Sequence, residues 1–261
     1  MAQGDVGALG VVAALALVAL AVLLSWRGGL GLERSMAWAS ARALIQLLLV
    51  GVALAAIIDP SRPIALSWIW VGAMVVFAAD VARRRAPEVP GLWKLAVVAF
   101  AATGAVTLGV VFGLRIFPLE ARTLVPIAGL VIGNSMNSTV LAARRIVEEL
   151  RDRRLEVEAR LALGQPAREA ARPHVRAALR TALSPQIETT KAVGIVFLPG
   201  AMTGLILAGV DPLDAVLVQA VVMYLVLGSA AVATSVIALG LVRRLFTPDH
   251  RLVRLTRPAE R

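Results

Sequence analysis

Apolar residues in this chain gather into runs long enough to cross a bilayer, separated by short polar breaks. A spanning helix needs about 20 mostly apolar residues, because backbone N–H and C=O groups in hydrocarbon must be satisfied inside the helix itself. Seven runs qualify: Gly7–Leu24, Met36–Ile58, Ile64–Ala79, Gly91–Leu114, Thr123–Ala143, Ala192–Val210 and Ala215–Leu241. The third is the shortest. The first follows Asp5 rather than a basic patch and lacks an A-x-A cleavage pattern, so it reads as a true span and not as a removed signal peptide. The pattern predicts an all-α integral membrane protein of about seven transmembrane helices, forming a single transmembrane domain over residues 1–261.

The stretch from Arg144 to Lys191, between the fifth and sixth runs, is different in kind: long, charged and helix-prone. Ile146, Val147, Leu150, Val157, Leu161, Val175, Leu179 and Leu183 recur at helical spacing and predict an apolar stripe on otherwise charged helices. Gly164 with Pro166, and then Pro173, are expected to interrupt the helical run. Two readings stand. One is a basic amphipathic hairpin lying on the membrane surface; the other is a docking element that presents its stripe and acidic ends to a soluble partner.

Composition rules out an ordinary soluble domain, since 59% of the 261 residues are hydrophobic and only 17% charged. The net charge of +10 takes its meaning from its distribution. With the N-terminus placed outside, 23 of the 27 Lys and Arg residues fall in inner segments, and only Arg62, Arg115 and Arg122 fall in outer loops. Short cytoplasmic loops retain positive charge, so the predicted topology is N-out, C-in. The loop at about 144–191 and the basic tail 243–261 are then cytoplasmic, beside anionic membrane lipid. No nucleic acid partner is expected, because the chain has one tyrosine, Tyr224, and no base-reading motif. It has no cysteine, and His174 and His250 both lie outside the spans, so no thiolate or intramembrane imidazole site exists and a metal site remains unassigned.

Polar residues inside the spans are the candidate chemistry. The fifth run carries Asn134, Ser135, Asn137, Ser138 and Thr139 close behind Pro126, and the sixth carries Pro199, Met202 and Thr203. Uncharged polar groups in hydrocarbon must find partners or face a water-filled path, and broken helices are a recurrent way to build such a path. An interhelical hydrogen-bond network is the rival explanation. Gly129 with Gly133 and Gly200 with Gly204 have the G-x-x-x-G spacing of close helix contacts. Met136 and Met202 offer thioethers to soft ions or serve as packing. Arg42 and Gln46 share a face of the second span; Arg42 either faces the bundle interior or extends to the headgroups, and no intramembrane acid stands out as its partner.

No G-x-x-x-x-G-K-[ST] loop, H-E-x-x-H or G-x-S-x-G motif is present, so the chain is expected to be non-catalytic, to bind no cofactor and to draw energy from elsewhere. Glu158-Ala159-Arg160-Leu161-Ala162-Leu163-Gly164 resembles the E-A-A-x-x-x-G coupling loop of ABC transporter permeases, with Arg160 in place of the second alanine. With Gly133-Asn134-Ser135-Met136, Leu183-Ser184-Pro185 and Leu198-Pro199-Gly200-Ala201-Met202-Thr203-Gly204, the chain is similar to the small ABC permease family that includes the bacterial iron-export permease FetB and plant aluminium-tolerance permeases. The resemblance implies a plasma-membrane permease, in a bacterium of the inner membrane. It also implies a homodimer with two ABC ATPase subunits that hold ATP and Mg, and export of a metal ion or metal-related small solute. Glu156, Glu158, Leu161 and Gly164 are then the coupling surface, and Asn134, Ser135, Met136, Asn137, Met202, Thr203, Arg42 and Gln46 the transport path. Two other readings remain: an ATP-independent secondary transporter or channel, and a membrane scaffold that transports nothing.

Overall fold

The computed structural model describes residues 8–59, 61–195, 198–247, 249 and 251–253. Asp5, Val196, Phe197, His250 and the end of the basic tail lie outside the described residues. Nine helices occupy those residues: α1 (Ala8–Arg27), α2 (Glu33–Ile57), α3 (Ile64–Arg85), α4 (Leu92–Gly113), α5 (Ala121–Asp152), α6 (Arg154–Ala162), α7 (Ala167–Ala192), α8 (Gly200–Leu207) and α9 (Pro212–Leu245). Among them no strand forms, and Phe246 and Leu252 pair in an isolated antiparallel bridge.

Five helices, α2, α3, α4, α5 and α9, are long and apolar enough to cross a membrane, and α1 adds a shorter apolar stretch. The third expected span is longer than its apolar run, because the helix continues through Asp80 and three arginines to Arg85. Helix α5 likewise runs on well past its apolar part, and Pro126 sits inside it without breaking it. A proline so near a helix start removes a single interior bond, and the end itself is fixed by a capping box between Glu120 and Thr123. Helix α9 starts just as definitely, with Pro212 in its first turn and Asp211 accepting a 2.9 Å bond from the Leu213 N–H.

The sixth expected span is corrected. Ala192–Val210 is not one helix: its helical part is α8, eight residues that rise about 12 Å against a hydrocarbon thickness of about 30 Å. Gly194 and Gly209, with φ of +88° and +87°, turn the backbone on either side, and Leu198–Pro199 is non-helical. The chain returns along α7 instead. Only α6 separates the end of α5 from the start of α7, and α7 packs along α5, so the two run antiparallel and α8 extends the return toward α9.

The core lies among α3, α4, α5, α7 and α9. Phe100, Leu124, Ile146, Leu150, Ile237 and Leu241 are among its largest fully buried side chains. At Gly240 of α9, a Cβ would come within 2.3 Å of Leu95 Cδ2 on α4, which marks the closest approach of these helices. The hydroxyls of Thr103, Thr107, Ser229 and Thr234 bond carbonyls three or four residues back in their own helices, which satisfies buried polar groups without partners across the interface. The pair α1 and α2 stands apart, with Ile57 the one residue of α2 buried.

Candidate functional site

The stretch 144–191 is neither a surface hairpin nor a displayed apolar stripe. Ile146, Val147, Leu150 and Val157 are buried in one core with Ala167, Ala170, Ala171 and Ala178, and Leu161, Val175 and Leu179 pack against it. The stripe is internal because the far end of α5, α6 and the first half of α7 pack on one another and on α9 within that core, so that each apolar face covers another. Gly164 ends α6 as expected, with φ of +84°, a conformation in which a side chain is strained. Pro173 does not interrupt α7, and neither does Pro185.

Two of the residues expected to couple are held by arginines. Glu158 accepts a 2.6 Å bond from Arg154, and Glu156 a 2.9 Å bond from Arg160. The Arg160 bond is the main cause that holds the Glu156 carboxyl below its ordinary value; burial opposes it, and the charges of His174, Arg160 and Arg153 add to it. His174 is buried, with Nε2 at 3.8 Å from the same carboxylate. Leu161 is half-buried and packs against the core. Leu155 of α6 and Leu163 at its C-terminal cap, neither of which the sequence singles out, are 83% and 82% exposed. Both fall outside the helical stripe, so periodicity gave no signal for them.

Five of the eight residues expected in the path line two clefts on either side of α5. One, of about 170 Å³, is lined by Asn134, Asn137, Ser138 and Leu141 of α5 and by Ala182, Pro185, Gln186 and Thr189 of α7. The other, of about 680 Å³, lies among α2, α3 and α5 and brings Arg42 and Gln46 together with Met136, Gly129 and Gly133. Asp80, Arg84 and Arg85 line its wall, so an acid does face the same space as Arg42, although Asp80 is already held by Arg83 at 2.9 Å and Arg84 at 2.7 Å. Arg85 joins the two clefts, donating a 2.9 Å bond to Asn137 Oδ1. Met202 and Thr203 line neither cleft; Thr203 bonds the Pro199 carbonyl of its own helix.

Between the clefts α5 turns an open face outward, on which Gly133, Asn134 and Asn137 are exposed. Asn134 Nδ2 bonds only the Leu130 carbonyl one turn back. Ser135 and Thr139 point the other way and are fully buried; Ser135 bonds the Ile132 carbonyl, and Thr139 Oγ1 has no hydrogen-bond partner. Apart from Arg85 with Asn137, the polar run makes no interhelical bonds among the described residues, so it is not the network weighed above. The glycines do not press helices together either. A Cβ on Gly133, Gly200 or Gly204 meets nothing within 4 Å, and one on Gly129 meets only the Met74 side chain at 3.6 Å. On α5 the missing side chains widen a cleft.

The sequence motifs and this arrangement can be set beside known proteins. Residues 8–246 match a family described as an uncharacterised protein family, UPF0014. The chain belongs to the UPF0014 family. It is 41% identical over 231 residues to the rice UPF0014 membrane protein STAR2, covering 88% of this chain and 80% of the relative. Arabidopsis protein ALUMINUM SENSITIVE 3 is 36% identical over 224 residues, covering 85% and 81%, and the probable iron export permease protein FetB of Escherichia coli is 30% identical over 243 residues, covering 92% of each. No solved structure matches. Family membership and the apolar helices together make this UPF0014 chain a multi-pass membrane protein with relatives named for permease and aluminium-related roles.

Proposed function

We propose that this UPF0014 protein is the membrane subunit of an ABC exporter of the plasma membrane, two copies of which enclose a path along α5 and couple through α6 to two ATPase subunits. The observation that carries the reading is the open face of Gly133, Asn134 and Asn137, flanked by two clefts at the depth of the spans. Lipid tails offer no hydrogen bonds to exposed amides, so such a face belongs against water or a second polar surface. A second copy about a twofold axis supplies both, since a self-complementary patch meets itself across that axis. The arginine-rich end, with α6 and the end of α9, is the cytoplasmic one on this reading.

Cleft chemistry narrows the cargo. Arg42, Arg84 and Arg85 face the larger cleft against a single carboxylate, Asp80, that two guanidinium groups already hold. A bare metal cation would meet net positive charge there, whereas a metal already wrapped in oxygen ligands, or another solute bearing anionic oxygen, would meet complementary donors. The cargo on this reading is a metal-related small solute, in keeping with relatives named for iron export and aluminium sensitivity. ATP and Mg belong to the partner.

The test is purification of the tagged chain from its own membranes in mild detergent, with co-purifying proteins identified by mass spectrometry, beside a Leu163→Asp variant. A P-loop ATPase that accompanies the native chain and is lost from the variant supports the reading. Recovery of the permease alone, under conditions that hold other ABC complexes together, overturns the ABC part and favours a secondary transporter or channel.

A further inference from the structure

Most arginines around α6 have an acid beside them: Arg144 pairs with Glu88, Arg145 with Glu148, Arg151 with Asp152, Arg154 with Glu158 and Arg160 with Glu156. Helix α7 breaks the rule. Arg168, Arg172, Arg176 and Arg180 follow one another at intervals of four, and among the described residues none of them makes a hydrogen bond or ion pair. Like charges spaced in this way on a helix repel each other, and among the described residues the row has no counter-ion.

The first three of these arginines line a groove of about 400 Å³ between α7 and α9. Its remaining walls are mostly apolar, with Leu179 on α7 and Ala238, Leu239 and Val242 on α9. Those α9 residues precede Arg243 and Arg244, and Arg244 bonds the Gly91 carbonyl at 2.7 Å, which pins this end of α9 to the start of α4. The groove therefore sits where the apolar part of a spanning helix gives way to its basic end, with cationic groups at one side and hydrocarbon surface at the other. Its occupant needs negative charge and an apolar chain together.

We propose that this groove is a binding site for one anionic phospholipid, its phosphate held by Arg168, Arg172 and Arg176 and an acyl chain laid along Leu239 and Val242. With the arginine-rich end taken as cytoplasmic, the lipid comes from the inner leaflet, where anionic headgroups attract basic groups next to the membrane. A soluble partner at α6 does not match the groove, because the α9 wall lies on the bilayer side of Arg243. The site is separate from both clefts along α5 and stands whether or not an ATPase binds.

The test uses the purified full chain, delipidated in neutral detergent and supplied with dioleoyl phosphatidylglycerol and dioleoyl phosphatidylcholine in equal amounts. Native mass spectrometry is expected to show retained phosphatidylglycerol in excess of phosphatidylcholine, with the excess falling on the order of tenfold in Arg172→Gln/Arg176→Gln. Arg62→Gln/Arg122→Gln, at the opposite end of the molecule, keeps it. Thermal unfolding separates lipid from free anion: phosphatidylglycerol raises the midpoint of the native chain, and sodium phosphate at matched ionic strength does not. Equal retention of the two lipids by the native chain overturns the site without recourse to any variant. A preference unchanged by the paired arginine substitution, or a stabilisation that sodium phosphate reproduces in full, also overturns it.

Discussion

Replacing Leu163 with alanine should weaken the hold on the ATPase subunit while leaving the free permease as stable as before. The magnitude follows from exposure. The side chain is 82% exposed at the C-terminal cap of α6, so truncation removes few contacts within the chain. If docking covers it completely, the change forfeits roughly three buried carbon groups at about 0.8 kcal/mol each, scaled by that exposure to about 2 kcal/mol. Since about 1.4 kcal/mol is a factor of ten, binding should weaken about 25-fold. Leu155, 83% exposed on the same helix, should behave alike, and the double variant should approach a product of the two if both leucines are covered. The assay is titration of the co-purifying ATPase onto the permease in lipid nanodiscs, with the thermal midpoint of the free permease as control. An affinity within twofold of the native value at both positions, with the midpoint unchanged, would refute docking through this face.

Other consequences can be checked singly. Gly240→Ala and Gly133→Ala gain the same helix propensity, but only the first sets a Cβ against Leu95; its thermal midpoint should correspond to about 1–3 kcal/mol less stability than that of Gly133→Ala. Asn137→Leu, which removes the acceptor for Arg85, should reduce flux while ATPase association persists; impaired assembly with no effect on flux would favour a scaffold instead. The Glu156 carboxyl is lowered in the folded chain, so its contribution is fully present above the ordinary value of 4.5 and is lost as pH falls through the folded value. The stability difference between the native chain and Arg160→Gln should therefore hold constant from neutral pH down to about 5 and close below 4.5. Calorimetric or fluorescence unfolding over that range reads it directly.

Features set by local chemistry were legible in the chain: the spans of α2, α3, α4, α5 and α9 from their apolar runs, the break at Gly164 from its neighbours, and the family from its ordered motifs. What depended on one helix meeting another was not. The stripe from Ile146 to Leu179 has the same period whether it faces a partner or a neighbouring helix, and only the pairing of α5 with α7 decides that it is buried. The sixth span misled because Ala192–Val210 is apolar enough to cross, whereas the turns at Gly194 and Gly209 cut it short and hand part of the return to the more polar α7. Met202 and Thr203, on α8, line neither cleft along α5. The approach of Asp80 to the space around Arg42 joins residues on separate helices, and no local spacing announces it.

The central claim is transport driven by a partner's ATP through the face of Gly133, Asn134 and Asn137. Its most direct measurement is uptake of citrate-complexed radioactive iron into inverted membrane vesicles, or into proteoliposomes with the ATPase facing outward, containing the chain and its co-purifying ATPase, with and without ATP. ATP-dependent movement from the face bearing the ATPase, abolished by Asn134→Leu with the complex still assembled, is the predicted result. Movement that proceeds equally without ATP, or that survives Asn134→Leu and Asn137→Leu together, would contradict the account.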